Sequence, residues 1–309
     1  MPLHPQVVPF LKVFYETNPA SRADVPVAIT RQQLIEASAI STDCPDPAST
    51  KDHTLTGQSG VFRIRIHTPH GTGPFGVCLY FHGGGWVLGS IETHDEIVRR
   101  LVHESGCVFV SVDYPLAPEH KYPVAIEDSY LAVKWVRDHA AELGIDPNRM
   151  AVAGDSAGGN IAAALCLMAR DRGEFTLAAQ VLIYPITDCD FERPSYRNYA
   201  DGHLLSRRDM QWFWREYVGT PEQMAEPYAS PLRAETLAGL PPALVLTAEC
   251  DPLCDEGLAY AQALQQAGVP MTLREFPGMI HGFLKRWETF DDARTANREI
   301  GRYLQKTIG

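Results

Sequence analysis

Hydrophobic positions along the chain follow two rhythms, and the two alternate. "VFRIRIHTP" (61–69) switches between apolar and polar at every residue, the period of a strand with one buried face. "GVCLYFH" (76–82), "CVFVSVDY" (107–114), "MAVAGD" (150–155), "AAQVLIYP" (178–185) and "PALVLTAE" (242–249) are short apolar runs ended by turn residues. They predict strands buried on both faces, and "MTLREF" (271–276) predicts one more. Residues 94–105, 124–143, 157–172 and 254–268 carry helical patterns between them. Strand and helix taking turns predict an α/β core: a mostly parallel sheet with helices on both faces.

Two regions depart from the alternation. The first 50 residues hold two amphipathic stretches, 5–17 and 31–40, bounded by the Pro-containing turns "TNPAS" and "DCPDPAS". A long insertion between "LIYPITD" and "PALVLTAE" contains "DGHLLSRRDMQWFWREYVG" (201–219). Ser206 suits an N-cap and Gly219 a C-terminal stop. Met210, Phe213, Trp214 and Tyr217 share one helical face. Alone, such a stripe is ordinary core packing. On an insertion it also suits a lid, and with Phe10, Phe14 and Trp86 it is expected to narrow a substrate tunnel and favour short chains.

The overall charge of −11 disfavours nucleic acid and anionic membrane as partners. No basic stretch leads into an apolar one at the N-terminus, and no apolar run reaches membrane-spanning length. Several of the seven cysteines sit inside apolar runs, where they act as small hydrophobes. A reduced, cytoplasmic protein is expected, with a homodimer as its one macromolecular association. "AECDPLCDEG" (248–257) has no partner ligands at metal spacing, so no metal is expected.

The chemistry gathers in three places. "GDSAG" (154–158) lies between an apolar strand and an Ala-rich helix. Gly-x-Ser-x-Gly in that context is the nucleophile elbow of α/β-hydrolases. Side chains two residues either side of Ser156 would strike the strand and the helix, so both positions are glycine. "HGGGW" (82–86) follows another buried strand. Its glycines let backbone N–H groups approach a developing oxyanion, and no phosphate-loop lysine accompanies them. His82 precedes the serine and suits a brace for this loop. In such hydrolases the acid and then the histidine follow the serine in the chain. Only His203 and His281 follow Ser156, and only His281 follows the acidic cluster. Asp251 is the first carboxylate past its strand and, with Pro252 after it, a natural N-cap; Asp255 is the reserve.

Together "HGGGW", "LAPEHKYP" (116–123), "GDSAGGN" (154–160), "SPL" (230–232), "DPLCDEG" (251–257) and "HGF" (281–283) resemble the hormone-sensitive-lipase-like, bacterial family IV esterases. The resemblance implies an α/β-hydrolase fold with an eight-stranded sheet and a helical cap. The expected division is 1–50 cap helices, 51–187 catalytic core, 188–235 cap insertion and 236–309 core again. It implies Ser156, Asp251 and His281 as a triad. It implies an oxyanion hole of Gly84, Gly85 and Ala157, with Gly83 shaping the loop. It implies no cofactor, and hydrolysis of small, short-to-medium acyl esters. An amidase or arylacetamide deacetylase would use the same triad, and a non-catalytic receptor of this fold would lack His281. Pro115 stands where many members carry arginine, so a local structural change is expected there.

Overall fold

Apolar runs too short for a helix satisfy their backbone groups by pairing with one another, and their order along the chain sets the layers. The computed structural model describes residues 2–17 and 21–309. In chain order the elements are α1 (Val7–Thr17), α2 (Val27–Glu36), β1 (Ser49–Gly57), β2 (Gly60–Thr68), β3 (Phe75–Phe81), α3 (Ile91–Ser105), β4 (Val108–Val112), α4 (Val124–Asp138) and α5 (Ala140–Leu143). There follow β5 (Ile145–Asp155), α6 (Ala157–Arg172), β6 (Ala179–Ile183), α7 (Pro194–Asn198), α8 (Arg207–Tyr217), β7 (Ala243–Cys250), α9 (Cys254–Gln266), β8 (Met271–Ile280) and α10 (Asp291–Ile308). The eight strands form one sheet in the order β1-β2-β4-β3-β5-β6-β7-β8. β2 runs antiparallel to β1 and to β4, and every other pairing is parallel.

β4 and β6 are buried at every residue, as their short apolar runs predict, with Ser111 and Gln180 buried among them. α6 is buried from Ala157 through Ala169. Its alanines and glycines let it lie close to the sheet where larger side chains would hold it off. Helix starts follow capping chemistry. α3 begins at Ile91, three residues before the apolar pattern suggests, because Ser90 and Thr93 form a capping box.

Several elements differ from the sequence reading. β1 escaped it because "STKDHTLTG" is an edge strand that buries only Leu55. Its hairpin with β2 is held by the buried Asp128 carboxylate, which accepts from the N–H groups of Gln58 and Ser59 and from the Ser59 hydroxyl. α10 also escaped, although Ala293, Ala296, Ile300 and Leu304 mark a buried helical face. The second N-terminal helix occupies 27–36, not 31–40, because Pro26 fits the position just before a helix. Residues 124–143 form two helices, broken at His139. Ser206 does cap α8, in a box with Asp209. Gly219 lies past the end of α8, but its N–H is taken by the Gln223 side chain and it is not left-handed.

The N-terminal segment and the insertion after β6 touch each other. The Ser21 hydroxyl donates to Asp209 at 2.8 Å, and Arg208 pairs with Asp24. Arg31 of α2 donates to the Val87 and Ala117 carbonyls and to both oxygens of Glu119. It thereby ties this layer to the loop after β3 and to the "LAPEH" segment beside Pro115. All seven cysteines are free, including Cys250 and Cys254. No helix among the described residues is long and apolar enough to cross a membrane.

Candidate active site

Four loops leave the carboxyl ends of the parallel strands β3, β5, β7 and β8 on one side of the sheet, where open α/β sheets place their ligands. Ser156 follows β5 directly, with φ 57° and ψ −118°. That backbone costs energy for a residue with a side chain, and it turns the chain from strand to helix within one residue. The flanking glycines are sterically required. A Cβ on Gly158 would lie 1.8 Å from the Phe81 carbonyl oxygen, and one on Gly154 would lie 2.3 Å from the Gly158 backbone.

The Ser156 hydroxyl lies 2.9 Å from His281 Nε2, and His281 Nδ1 lies 2.6 Å from Asp251 Oδ2. With the ring proton on Nδ1 donated to Asp251, the Nε2 lone pair faces the serine hydroxyl. Asp251 is fully buried, and its other oxygen accepts the Leu253 N–H at 2.9 Å. The residue is therefore held from both sides. It does not act as the N-cap of α9, which begins at Cys254; it closes a tight turn by accepting the N–H of Leu253, the residue just before the helix.

The other acids of the cluster are committed elsewhere. Glu249 accepts the Gly278 N–H, Asp255 the Ser195 N–H, and Glu256 the Thr187 N–H. Complete burial pushes the Glu256 carboxyl well above its usual range. His203 Nδ1–H donates to the Asp201 carbonyl, and His203 does not line the cavity.

The glycine loop divides its labour. Gly83 N–H donates to Asp155 Oδ1 at 3.0 Å, so Gly83 shapes the loop and has no N–H left for an oxyanion. The N–H groups of Gly84, Gly85 and Ala157 meet no acceptor among the described residues. Gly84 adopts φ 128°, and a Cβ there would lie 2.2 Å from the Leu88 carbonyl oxygen. His82 braces the loop: its Nδ1–H donates to the Gly83 carbonyl, and its ring stacks on Tyr114 at 4.2 Å. Burial, then the neighbouring His94, lower the His82 imidazole to about 4, so it is neutral at neutral pH.

Two buried polar residues inside the motifs escaped the sequence reading. Asp155 accepts from the Tyr80 hydroxyl at 2.8 Å as well as from Gly83, and lies 3.4 Å from His94 Nε2. Burial alone would raise its carboxyl, but His94, Lys285 and Tyr80 hold it well below the usual carboxylate range. It is the link between nucleophile elbow and glycine loop. Asn160 accepts from Trp86 Nε1 and donates to the carbonyls of Ile186 and Ala229, joining that loop to the insertion. A buried-side position on a strand end (Asp155) or an Ala-rich helix (Asn160) was the available signal, because such polar groups need partners.

A cavity of about 100 Å³ opens above the serine. Its walls come from Gly83–Gly85, Ser156 and His281 on the sheet side, and from Arg22, Leu34, Leu204, Leu205 and Phe213 on the other. Of the predicted aromatic stripe, Phe213 alone reaches it. Trp86, Met210, Trp214 and Tyr217 are buried in packing: Trp86 stacks on Tyr217 at 4.0 Å and meets Trp214 edge-on at 4.9 Å. Phe10 packs edge-on against Phe290, and Phe14 lines a separate surface cleft. A wide apolar face is turned into the seam between insertion and core, where it removes the most surface from water. Among the described residues no group of His, Cys, Asp or Glu could hold a metal ion.

Residues 78–285 match the family described by the alpha/beta hydrolase fold. The chain belongs to the α/β-hydrolase family. It is similar to an arylesterase of Saccharolobus solfataricus, 40% identical over 92% of this chain and 93% of the relative. It resembles the carboxylesterase NlhH of Mycobacterium tuberculosis at 40% identity, over 91% of this chain and 89% of the relative. Among solved structures, a hyperthermophilic esterase from Pyrobaculum calidifontis superposes with TM-score 0.94 at 42% identity, covering 99% of each chain. A thermostable esterase from Pseudomonas putida does so with TM-score 0.95 at 38% identity, covering 100% of this chain and 98% of that one. These α/β-hydrolase relatives match nearly end to end, so the likeness includes the N-terminal segment and the insertion as well as the sheet.

Proposed function

We propose that this α/β-hydrolase is a carboxylesterase that cleaves small, short-to-medium acyl esters through an acyl-enzyme on Ser156. The observation that carries the reading is the continuous line from Ser156 Oγ through both ring nitrogens of His281 to Asp251, at 2.9 and 2.6 Å. His281 Nε2 takes the serine proton as Oγ attacks the ester carbonyl. Charge on the carbonyl oxygen is met by the N–H groups of Gly84, Gly85 and Ala157, at the start of α6 where the helix dipole also favours it. His281 returns the proton to the departing alcohol. Water, deprotonated by the same nitrogen, then releases the acid. Asp251 keeps the ring in one tautomer and stabilises the imidazolium without taking its proton.

Residues 1–50 and 188–235 act in this reading as the cap that closes the cavity over the substrate. The small enclosed volume and the Phe213 ring favour short acyl groups. Ser156→Ala should leave circular dichroism and melting unchanged and lower kcat for p-nitrophenyl butyrate by about 10⁴ or more. Substantial residual turnover in that variant would refute the assignment.

A further inference from the structure

The cavity over Ser156 is lined by three cations that the mechanism above does not use. Arg22 comes from the turn before α2, and Lys285 and Arg286 come four and five residues after His281. None of the three makes an ion pair with the described residues. Elsewhere the chain pairs its half-buried and buried arginines: Arg63, Arg65, Arg99 and Arg100 each hold carboxylates.

The acids nearest the trio are occupied. Asp24 pairs with Arg208 at the surface. Asp209 accepts from Ser21 and Ser206 and attracts Arg22 only from beyond ion-pair distance. Asp155, the one carboxylate lining the cavity among the described residues, accepts from Tyr80 and Gly83 through Oδ1, with His94 beside it, and attracts Lys285 only from beyond ion-pair distance. Arg286 lies over the Phe10 ring at 5.0 Å, and its Nε is buried without a hydrogen-bond partner among the described residues.

We propose that Arg22, Lys285 and Arg286 form an anion subsite, and that the preferred substrates are esters carrying a carboxylate close to the scissile bond. This rests on the esterase reading of Ser156 and names its substrate class. Uncompensated charges gathered in an enclosed site cost stability, and such arrangements concentrate at functional sites where a ligand completes them. The strain is visible at Lys285: burial lowers its ammonium to about 8, Asp155 opposes that, and Arg286 and Arg22 add to it. His94, also on this wall, is neutral or cationic and so adds no negative charge; burial and then Lys285 lower its imidazole. A bound carboxylate would relieve the repulsion among all three cations through charge-assisted hydrogen bonds. In a chain of net charge −11 this is a local positive field facing the nucleophile.

The carboxylate can belong to the acyl or to the alcohol half of the ester, and two pairs of isosteres separate these. Monoethyl glutarate against ethyl 5-methylhexanoate places it on the acyl side. O-acetyl-lactate against 3-methylbutan-2-yl acetate places it on the alcohol side. In each pair a carboxylate replaces an isopropyl group of similar shape. At low salt and near neutral pH, the wild-type enzyme should favour the anion of at least one pair by about tenfold or more in kcat/KM, the size of one charge-assisted hydrogen bond. The pair that shows the preference identifies the side. Lys285→Met should erase most of that preference, Lys285→Arg should retain it, and added salt should weaken it. The proposal is overturned if the wild type prefers the neutral member of both pairs, or if its preference for the anion survives Lys285→Met and Arg22→Gln unchanged. If no ester of either pair, nor p-nitrophenyl butyrate, is hydrolysed, the esterase reading itself fails and this inference falls with it.

Discussion

On the sheet side of the cavity, polar groups are buried and bonded to one another. Tyr80 and the Gly83 N–H converge on Asp155, Asp251 holds His281, and Asn160 ties Trp86 to the insertion. On the opposite side, the contacts are exposed ion pairs such as Asp24 with Arg208, an apolar seam around Trp214, and Arg22 without an ion-pair partner among the described residues. The first wall is a unique arrangement, because a buried polar group left unbonded costs several times what a surface contact contributes. The second can change one side chain at a time. The first wall is thus the rigid one and the second the adaptable one.

The largest effect should come from the rigid wall. Gly158→Ala drives a Cβ to 1.8 Å from the Phe81 carbonyl. The loss should reach or exceed the upper end of the about 1–3 kcal/mol typical of overpacking, with activity gone, as read from denaturant midpoints and turnover together. A stable, active variant would break the contrast.

The seam comes next. Trp214→Ala should cost about 3–5 kcal/mol of stability with little change in acyl-length preference, because the ring is buried away from the cavity. Phe213→Ala should instead shift chain-length preference by about tenfold, since its ring lies over Gly85 and in the cavity wall. Exchanged outcomes would relocate the specificity wall.

A smaller effect concerns Lys285. Its folded pKa of about 8 lies below the ordinary 10.5, so between those values the unfolded chain binds the extra proton. The charged lysine therefore costs stability at neutral pH, and that cost fades as pH rises through the interval. Lys285→Met should be the more stable protein at neutral pH, with its advantage shrinking towards pH 10, as measured by paired urea melts. An advantage independent of pH would show that packing, not charge, is responsible. Smallest of all, Arg208→Ala should leave the melting midpoint nearly unchanged, because an exposed pair is screened by water and salt.

Much of the rigid wall was legible in the residues. Ser156 was marked by its glycines, His281 by its order in the chain, and Asp251 by its place at a strand end. The glycine and strand-end signals are local, since a tight turn needs glycine within two residues wherever the rest of the chain lies, and chain order is read without knowing the fold. Gly83 was legible as a loop shaper, but its bond to Asp155 was not, because α3, β4, α4, α5 and β5 lie between the two along the chain. The aromatic stripe misled for the opposite reason. Periodicity correctly marked α8 and its apolar face, but the same face could cover a cavity or fill a seam. Only the contacts of Trp86 with Trp214 and Tyr217 distinguished them. β1 was invisible because an edge strand needs only one partner and little apolar surface.

The sequence by itself determined the alternation of strands and helices, the motifs at strand ends and the order of Ser156, Asp251 and His281, because periodicity and turn sterics act within short windows and chain order needs no fold to be read. Tertiary structure alone decided where the other three carboxylates of the acidic cluster are committed, Glu249 to Gly278, Asp255 to Ser195 and Glu256 to Thr187. It also decided which aromatic reaches the cavity, and that Arg22 stands beside Lys285 and Arg286. Those facts depend on where distant segments are brought together, and no short window of the chain contains both partners.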